Sequence, residues 1–561
     1  MPDFRIALAC APNTTGIAEK IAPYEHLGLS YLGAVLREKK YNVKLTDSDA
    51  LQLKLDEAIE RIDDFNPDIL ALSPTWATVD NSIELIKKIK RKNSDLITCF
   101  GGYIATFNDR EILSDYSLVD YIIRGEGERI FPALIEKLEN NKSVENLQSI
   151  TYRSKDGKII QNPIAPYIKD LDTIPFPVRD TFEEILQQDN IYILNLITSR
   201  GCYGNCSFCI AGAFSRLSKK TPAWRGRSIE NVIKELELLL DIYPQIHYIN
   251  FADNNIFGPG IAGKNRVKRL AQALIDHDIN IEWQASARSD NFDKDDDELF
   301  KLLKSSNIGT LFIGIESGVE SQLELFNKRI SVAKNLKTIK LINKWEIPVQ
   351  WGYIMFNPYI KFEDLIKNAK FYFNKLKYYS IHKMTMKLRV FPGTALYEKI
   401  RNDNLLKDSF NYKEIFNYNY LDERVAIVEN IMTKTANQLY AEHAILQNAQ
   451  EMTDTLLSGV LNVNVPHILD QLQTIVRTRN SIYKKIRDIN HLNYNYFRDI
   501  MKLIKNNSND TEIYNNKIRG VKDKIIKKHI SEIKRISSEL DEEFKDFIKT
   551  LNDYMSEVLN V

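Results

Sequence analysis

Cysteine is scarce in this chain, five in 561 residues. Thiols that sparse cannot make a disulfide framework. Three of them, Cys202, Cys206 and Cys209, fall close together, which points to metal in a reducing compartment. Long apolar runs are missing too. No stretch reaches the roughly 18 uninterrupted apolar residues of a membrane-spanning helix. No secretory signal precedes the first strand-like run at 5–9. These absences set the expectation of a cytoplasmic protein. There is no excess of charge, because 76 Lys+Arg stand against 75 Asp+Glu, a formal net charge of +1. That balance carries no electrostatic footprint for nucleic acid or an anionic membrane surface. Hydrophobic residues still make up 44% of the chain, enough for cores in about three domains.

What is present falls into three stretches. Residues 1–140 alternate strand-like runs (5–9, 43–46, 68–72, 96–100, 119–123) with helical periodicity (27–37, 51–65, 79–89, 128–138). That order predicts a doubly wound, Rossmann-like parallel sheet with helices on both faces. Ligands of such sheets bind beyond the strands' carboxyl ends, here the loops 10–24, 73–78, 101–107 and 124–128. Residues 141–190 read as a linker holding an Asp156-Gly157 turn and a stiff Ile174-Pro175-Phe176-Pro177. A second series spans 191–400, with strands expected at 192–198, 247–251, 281–286, 310–315, 349–355 and 384–390. Six such units suit a parallel (β/α)6-type partial barrel. From about 420 glycine nearly vanishes, and 401–561 reads as a helical domain with long helices over about 467–561. The charge run 522–528 fits a solvated helix face.

The chemistry concentrates in Gly201-Cys202-Tyr203-Gly204-Asn205-Cys206-Ser207-Phe208-Cys209, directly after an apolar strand. Thiolates are the usual ligands of iron–sulfur clusters. Three cysteines on a four-iron cubane leave one iron open for substrate. Gly201 and Gly204 allow a tight loop around it. In this strand-to-loop setting the C-x3-C-x2-C spacing resembles the radical S-adenosylmethionine (SAM) superfamily. Further motifs agree. Phe251-Ala252-Asp253-Asn254-Asn255-Ile256-Phe257 follows the second strand, Arg288 ends the third, and Gly314-Ile315-Glu316-Ser317-Gly318 ends the fourth. Val390-Phe391-Pro392-Gly393-Thr394-Ala395-Leu396-Tyr397 follows the sixth. The resemblance implies a 4Fe–4S cluster on Cys202, Cys206 and Cys209. It also implies SAM contacts from Phe208, the backbone around Ala252, Asp253 and Asn254, the carboxylate-binding Arg288, the ribose-binding Glu316, and Val390 at the adenine.

Residues 1–140 resemble the cobalamin-binding domain of one large radical SAM subfamily. The matching segments are Leu27-Gly28-Leu29-Ser30-Tyr31-Leu32, Pro67-Asp68-Ile69-Leu70-Ala71-Leu72-Ser73, Gly101-Gly102 and Arg124-Gly125-Glu126-Gly127-Glu128. This resemblance implies corrinoid contacts from Ser73, Thr75, Trp76, Gly101, Gly102, Gly125 and Glu126. The loop Cys10-Ala11-Pro12-Asn13-Thr14-Thr15-Gly16 lacks the D-x-H-x-x-G histidine of older corrinoid proteins. The expectation is therefore cobalamin with no histidine below the cobalt, His26 being a cap or contact. Cys10 and Cys99 read as small core residues.

The resemblance implies a cobalamin-dependent C-methyltransferase. A 5′-deoxyadenosyl radical would activate an unactivated carbon and methylcobalamin would supply the methyl group. Its partners would be a small-molecule or peptide substrate and an electron donor such as flavodoxin or ferredoxin. The 401–561 domain would close over the barrel mouth and bind substrate. Two rivals stand beside this. One is oxidative cyclisation or rearrangement, with or without cobalamin. The other is a non-catalytic cobalamin/SAM sensor, against which the intact triad argues. Methylthiotransferases need three more N-terminal cysteines and are excluded. Cysteine-rich auxiliary-cluster enzymes are excluded too, because no cysteine follows Cys209. His382 and Lys387 lie near the last expected strand and could face the site.

Overall fold

The structure is a computed structural model and describes residues 4–13, 24–187, 193–376, 384–442, 445, 469–506 and 511–559. The N-terminal sheet contains β1 (Arg5–Cys10), β2 (Asn42–Asp47), β3 (Ile69–Leu72), β4 (Ile97–Phe100) and β5 (Tyr121–Ile123). They lie parallel in the order β2-β1-β3-β4-β5. β3 is buried along its whole length, as a strand covered on both faces must be. The order reverses between β1 and β3, which opens a crevice at their carboxyl ends. The expected hairpin forms, with β6 (Ile150–Arg153) and β7 (Ile159–Gln161) joined at the Gly157 turn. It does more than link. β6 pairs antiparallel with β5, carrying the N-terminal sheet past residue 140 to seven strands.

The second sheet begins with β8 (Leu194–Leu196). A short ribbon follows, β9 (Ser199–Gly201) paired antiparallel with β10 (Trp224–Gly226). Then come β11 (Tyr248–Phe251), β12 (Glu282–Arg288), β13 (Ile308–Glu316) and β14 (Val349–Tyr353). The parallel order β8-β11-β12-β13-β14 matches five of the six expected barrel strands. The sixth, at 384–390, is reduced to one bridge between Phe356 and Lys387. The amides of Met355 and Phe356 donate to Met386 O, and Leu388 N returns a bond to Phe356 O. Val390 N then turns away to Ile415 O, so the pairing cannot continue. His382 lies outside the described residues.

Two long helices, Leu469–Asn506 and Thr511–Leu559, form the C-terminal region. They pack on each other and on the barrel-side helices Phe362–Lys375 and Glu423–Gln438. Ile482, Phe497, Ile533 and Phe547 share one apolar core with barrel residues such as Trp283 and Tyr372. Within the run 522–528, Lys524, Lys527 and Lys528 are exposed. Among the described residues no helix is long and apolar enough to cross a membrane.

Candidate active site

The cysteine loop leaves the barrel through the β9–β10 ribbon, and Cys202 N bonds Ala223 O at 3.2 Å. Gly201 has φ +84°, and a Cβ there would lie 1.9 Å from Ala223 O. Only glycine closes this base without displacing backbone. Each sulfur has a donor nearby. Gly204 N lies 3.3 Å from Cys202 Sγ, Gly212 N 3.4 Å from Cys209 Sγ, and Arg288 Nη1 3.4 Å from Cys206 Sγ. Burial raises the pKa of the Cys202 and Cys209 thiols, while those amides pull the other way. Among the described residues no three His, Cys, Asp or Glu are gathered as one metal ion requires. The donor set is all sulfur, with N–H groups aimed at it. Such a set suits a multi-iron cluster, whose thiolates stand wider apart than those of a lone ion.

Asp253 turns inward. Its carboxylate accepts from Thr198 N (2.7 Å), Thr198 Oγ1 (2.6 Å), Ser199 N (3.1 Å) and Ser199 Oγ (2.9 Å). With its side chain consumed, Asp253 shapes the strand exit feeding the cysteine loop. Its neighbours Ala252 and Asn254 are exposed. Arg288 ends β12 with its fork on Asp290 (2.9 and 3.2 Å) and its ring-facing side over Tyr203. Glu316 ends β13 with φ +65° and pairs with Lys328 Nζ at 2.8 Å. Phe208, Phe326, Val390, Leu396 and Tyr397 form one apolar cluster, and Leu396 N bonds Ser207 O at 2.8 Å. The expected Phe208–Val390 wall is therefore one surface. The Val390 amide itself is occupied by Ile415.

On the N-terminal sheet Ser73, Thr75 and Trp76 follow β3, and Gly101 and Gly102 follow β4. Gly102 has φ +82°, and a Cβ there would come 2.8 Å from Ser73 Oγ, so the two loops touch. Thr75 is exposed. Trp76 meets Phe416 edge-on at 6.2 Å. Gly125 is buried, its amide on Thr106 Oγ1 at 3.1 Å and Tyr167 behind it. The Glu126 side chain reaches across to the second domain. Its carboxylate pairs with Arg225 at 2.5 Å and accepts from Ile168 N at 3.2 Å, joining the two domains. His26 caps the helix Leu27–Glu38 through Nδ1, accepting from Leu29 N at 3.3 Å. Cys10 and Cys99 are buried core residues. Lys387 pairs with Glu429 at 3.5 Å.

The carboxyl-end loops of the two sheets face each other. Tyr103 stacks edge-on at 4.8 Å against Phe214 of Ile210–Ser215, the helix after the cysteine loop, and its hydroxyl reaches the Asn254 side chain. Arg200 pairs with Glu128 at 2.6 Å. Burial opposes the Arg200 charge, but Glu128 and Glu126 outweigh it and raise its pKa. Gly393 sits directly on Phe107. Arg179 pairs with Glu25 on one side and with Glu235 at 2.9 Å on the other. Tyr103, Arg200, Arg225 and Lys328 were not singled out from sequence. A pair such as Glu126–Arg225, 99 positions apart in the chain, leaves no local pattern.

A corrinoid-type sheet set mouth to mouth with a cysteine-bearing partial barrel defines a two-cofactor enzyme class. A B12-binding domain model matches residues 16–135, and a radical SAM superfamily model matches residues 196–372. The chain belongs to the cobalamin-dependent radical SAM enzymes, whose two domains imply cobalamin, SAM and a 4Fe–4S cluster. It is 27% identical over 409 residues to an uncharacterised methyltransferase of Pyrococcus horikoshii, covering 72% of this chain and 85% of that protein. It is 25% identical over 339 residues to an anaerobic magnesium-protoporphyrin IX monomethyl ester cyclase of Rubrivivax gelatinosus, covering 58% of each. In fold it is similar to the cobalamin-dependent SAM radical enzyme OxsB, solved with aqua-cobalamin and SAM bound. The TM-score there is 0.69 at 19% identity, over 99% of this chain and 81% of that one.

Proposed function

We propose that this chain is a C-methyltransferase acting on an unactivated carbon of a small-molecule or peptide substrate. The observation that carries this reading is the apposition of the two sets of loops at Tyr103–Phe214, Glu126–Arg225 and Arg200–Glu128. When bound, the cluster with SAM supplies a hydrogen-abstracting radical, and cobalamin supplies a methyl group. The residues of the chain do the rest. Cys202, Cys206 and Cys209 hold the iron. Phe208 and Val390 flank the adenine, Glu316 accepts from the ribose, and the Arg288 guanidinium, its fork held by Asp290, draws the SAM carboxylate as a fixed positive charge beside Cys206. The backbone at Ala252, Asp253 and Asn254 meets the SAM amino group. Ser73, Thr75, Trp76, Gly101, Gly102 and Gly125 shape the corrinoid seat. Cobalamin would be held without a ligand from His26, which serves its helix cap. The ion pairs around the seam exclude water from the space between the cofactors. A flavodoxin- or ferredoxin-type donor provides the electron.

A second reading, cyclisation or rearrangement, draws on the named activity of the cyclase relative. Anaerobic reconstitution with iron, sulfide and hydroxocobalamin tests both, followed by metal quantification and product mass. Near four irons and one cobalt per chain with a product heavier by one methylene is expected. A product that has lost hydrogens without gaining carbon favours the second reading. Iron without retained cobalt overturns methyl transfer.

A further inference from the structure

We propose that Lys328 is a positioning residue, tying the Glu316 carboxylate to the cysteine loop so that SAM binding is transmitted to the cluster ligands. This rests on the reading that the triad holds a cluster and that Glu316 faces SAM.

Lys328 is only 4% exposed, a rare state for lysine unless it is paired. Its ammonium lies 2.8 Å from Glu316 Oε1, and its carbonyl accepts Arg288 Nη2 at 2.9 Å. The same guanidinium reaches Cys206 Sγ at 3.4 Å. The segment leading to Lys328 grips the cysteine loop directly. Asn327 Nδ2 bonds Asn205 O at 2.7 Å, Ser207 N bonds Phe326 O at 2.9 Å, and Ser207 Oγ bonds Leu325 O at 2.7 Å. Phe326 packs edge-on against Phe208 at 5.3 Å.

The backbone is held in an unfavourable conformation at both ends of this path. Glu316, Asn327 and Arg329 all have left-handed φ, at 65°, 46° and 56°. Such conformations are costly for non-glycine residues and persist only where surroundings over-determine them. Gly314 makes the room, since a Cβ there would stand 2.4 Å from Glu316 Oε1 and 2.8 Å from Lys328 Nζ. Lys328 thus aims one carboxylate, anchors one guanidinium through its carbonyl, and ends a clasp on the loop between Cys202 and Cys209.

The test uses the full-length protein, reconstituted anaerobically. Three quantities are read: SAM affinity, the SAM-induced change in the reduced cluster's EPR spectrum, and the cluster midpoint potential. Lys328→Met is expected to keep its iron and bind SAM about tenfold more weakly. Its potential should move negative, because the buried Glu316 carboxylate loses the cation paired with it. Lys328→Arg should restore most of the potential. Asn327→Gly keeps the left-handed backbone and deletes the bond to Asn205. It should weaken the SAM-induced spectral change without moving the potential. Wild-type affinity, spectrum and potential in Lys328→Met overturn the clasp alone. If Lys328→Met holds no iron, a wild-type spectral response in Asn327→Gly overturns it. Absence of any SAM response in the wild-type protein overturns the underlying reading as well.

Discussion

At the barrel mouth every sulfur of the triad has a donor within 3.4 Å, and the loop carrying them is fastened at Ala223, Phe326 and Leu325. Across the seam, the rim of the N-terminal sheet offers small side chains and bare backbone at Ser73, Thr75, Gly101 and Gly102. Its strong polar groups, Glu126 and Glu128, are spent on Arg225 and Arg200. The contrast follows from what each side must hold. A metal cluster bonds to a few atoms, so those atoms must be fixed. A wide, flat cofactor takes a surface, so side chains there must stay out of the way. One half is defined by donors and the other by the space left between loops.

The largest way to break this contrast is to remove a donor. Cys206→Ala should abolish iron retention and SAM cleavage together, checked by iron analysis and 5′-deoxyadenosine release. Cobalamin binding, on the other sheet, should survive. Arg225→Met should cost about 1–3 kcal/mol, because the buried Glu126 carboxylate loses one of the two arginines that face it. Denaturant unfolding measures that loss, and adding Glu126→Gln should recover part of it.

The buried Glu25–Arg179–Glu235 chain gives a pH signature. Burial outweighs the attraction of Arg179 and pushes the Glu25 carboxyl up to about 7. The folded state then holds this proton more tightly than the unfolded chain. The contribution is full below about pH 4.5 and is lost as pH rises through about 7, roughly 3 kcal/mol in all. Glu25→Gln should flatten that slope in a pH series of melting curves. A slope unchanged by the substitution would remove Glu25 from the account. Gly102→Ala should have the smallest effect, about 1 kcal/mol for the left-handed backbone. It should also weaken cobalamin a few-fold as Ser73 is pushed aside, while iron content stays level. Equal losses of iron and cobalt would blur the division between the two halves.

Much of the barrel half was legible because its chemistry is local. The C-x3-C-x2-C spacing, the strand before it and the Gly-Ile-Glu-Ser-Gly strand end are each read within a dozen residues. The N-terminal sheet was legible for a similar reason, since alternating strand and helix periods admit few topologies. The hairpin at Gly157 was visible as a turn, but nothing in it announced that β6 would extend the first sheet. The sequence marks Asp253 only through its backbone, as part of the loop after the second strand, and assigns its side chain no role. Only packing shows it turned inward onto Thr198 and Ser199.

By itself, then, the sequence pointed to three thiols as candidate metal ligands, marked most of the parallel βα units, and set the order of the two α/β stretches. Those properties depend on side-chain chemistry and short-range periodicity. The tertiary structure alone decided that the sixth strand shrinks to the Phe356–Lys387 bridge. It also decided that Glu126 serves the seam, that Lys328 is buried against Glu316, and that the two sets of loops meet. Each depends on contacts between segments tens to hundreds of residues apart, where burial and charge pairing are settled by three-dimensional packing rather than by neighbours in the chain.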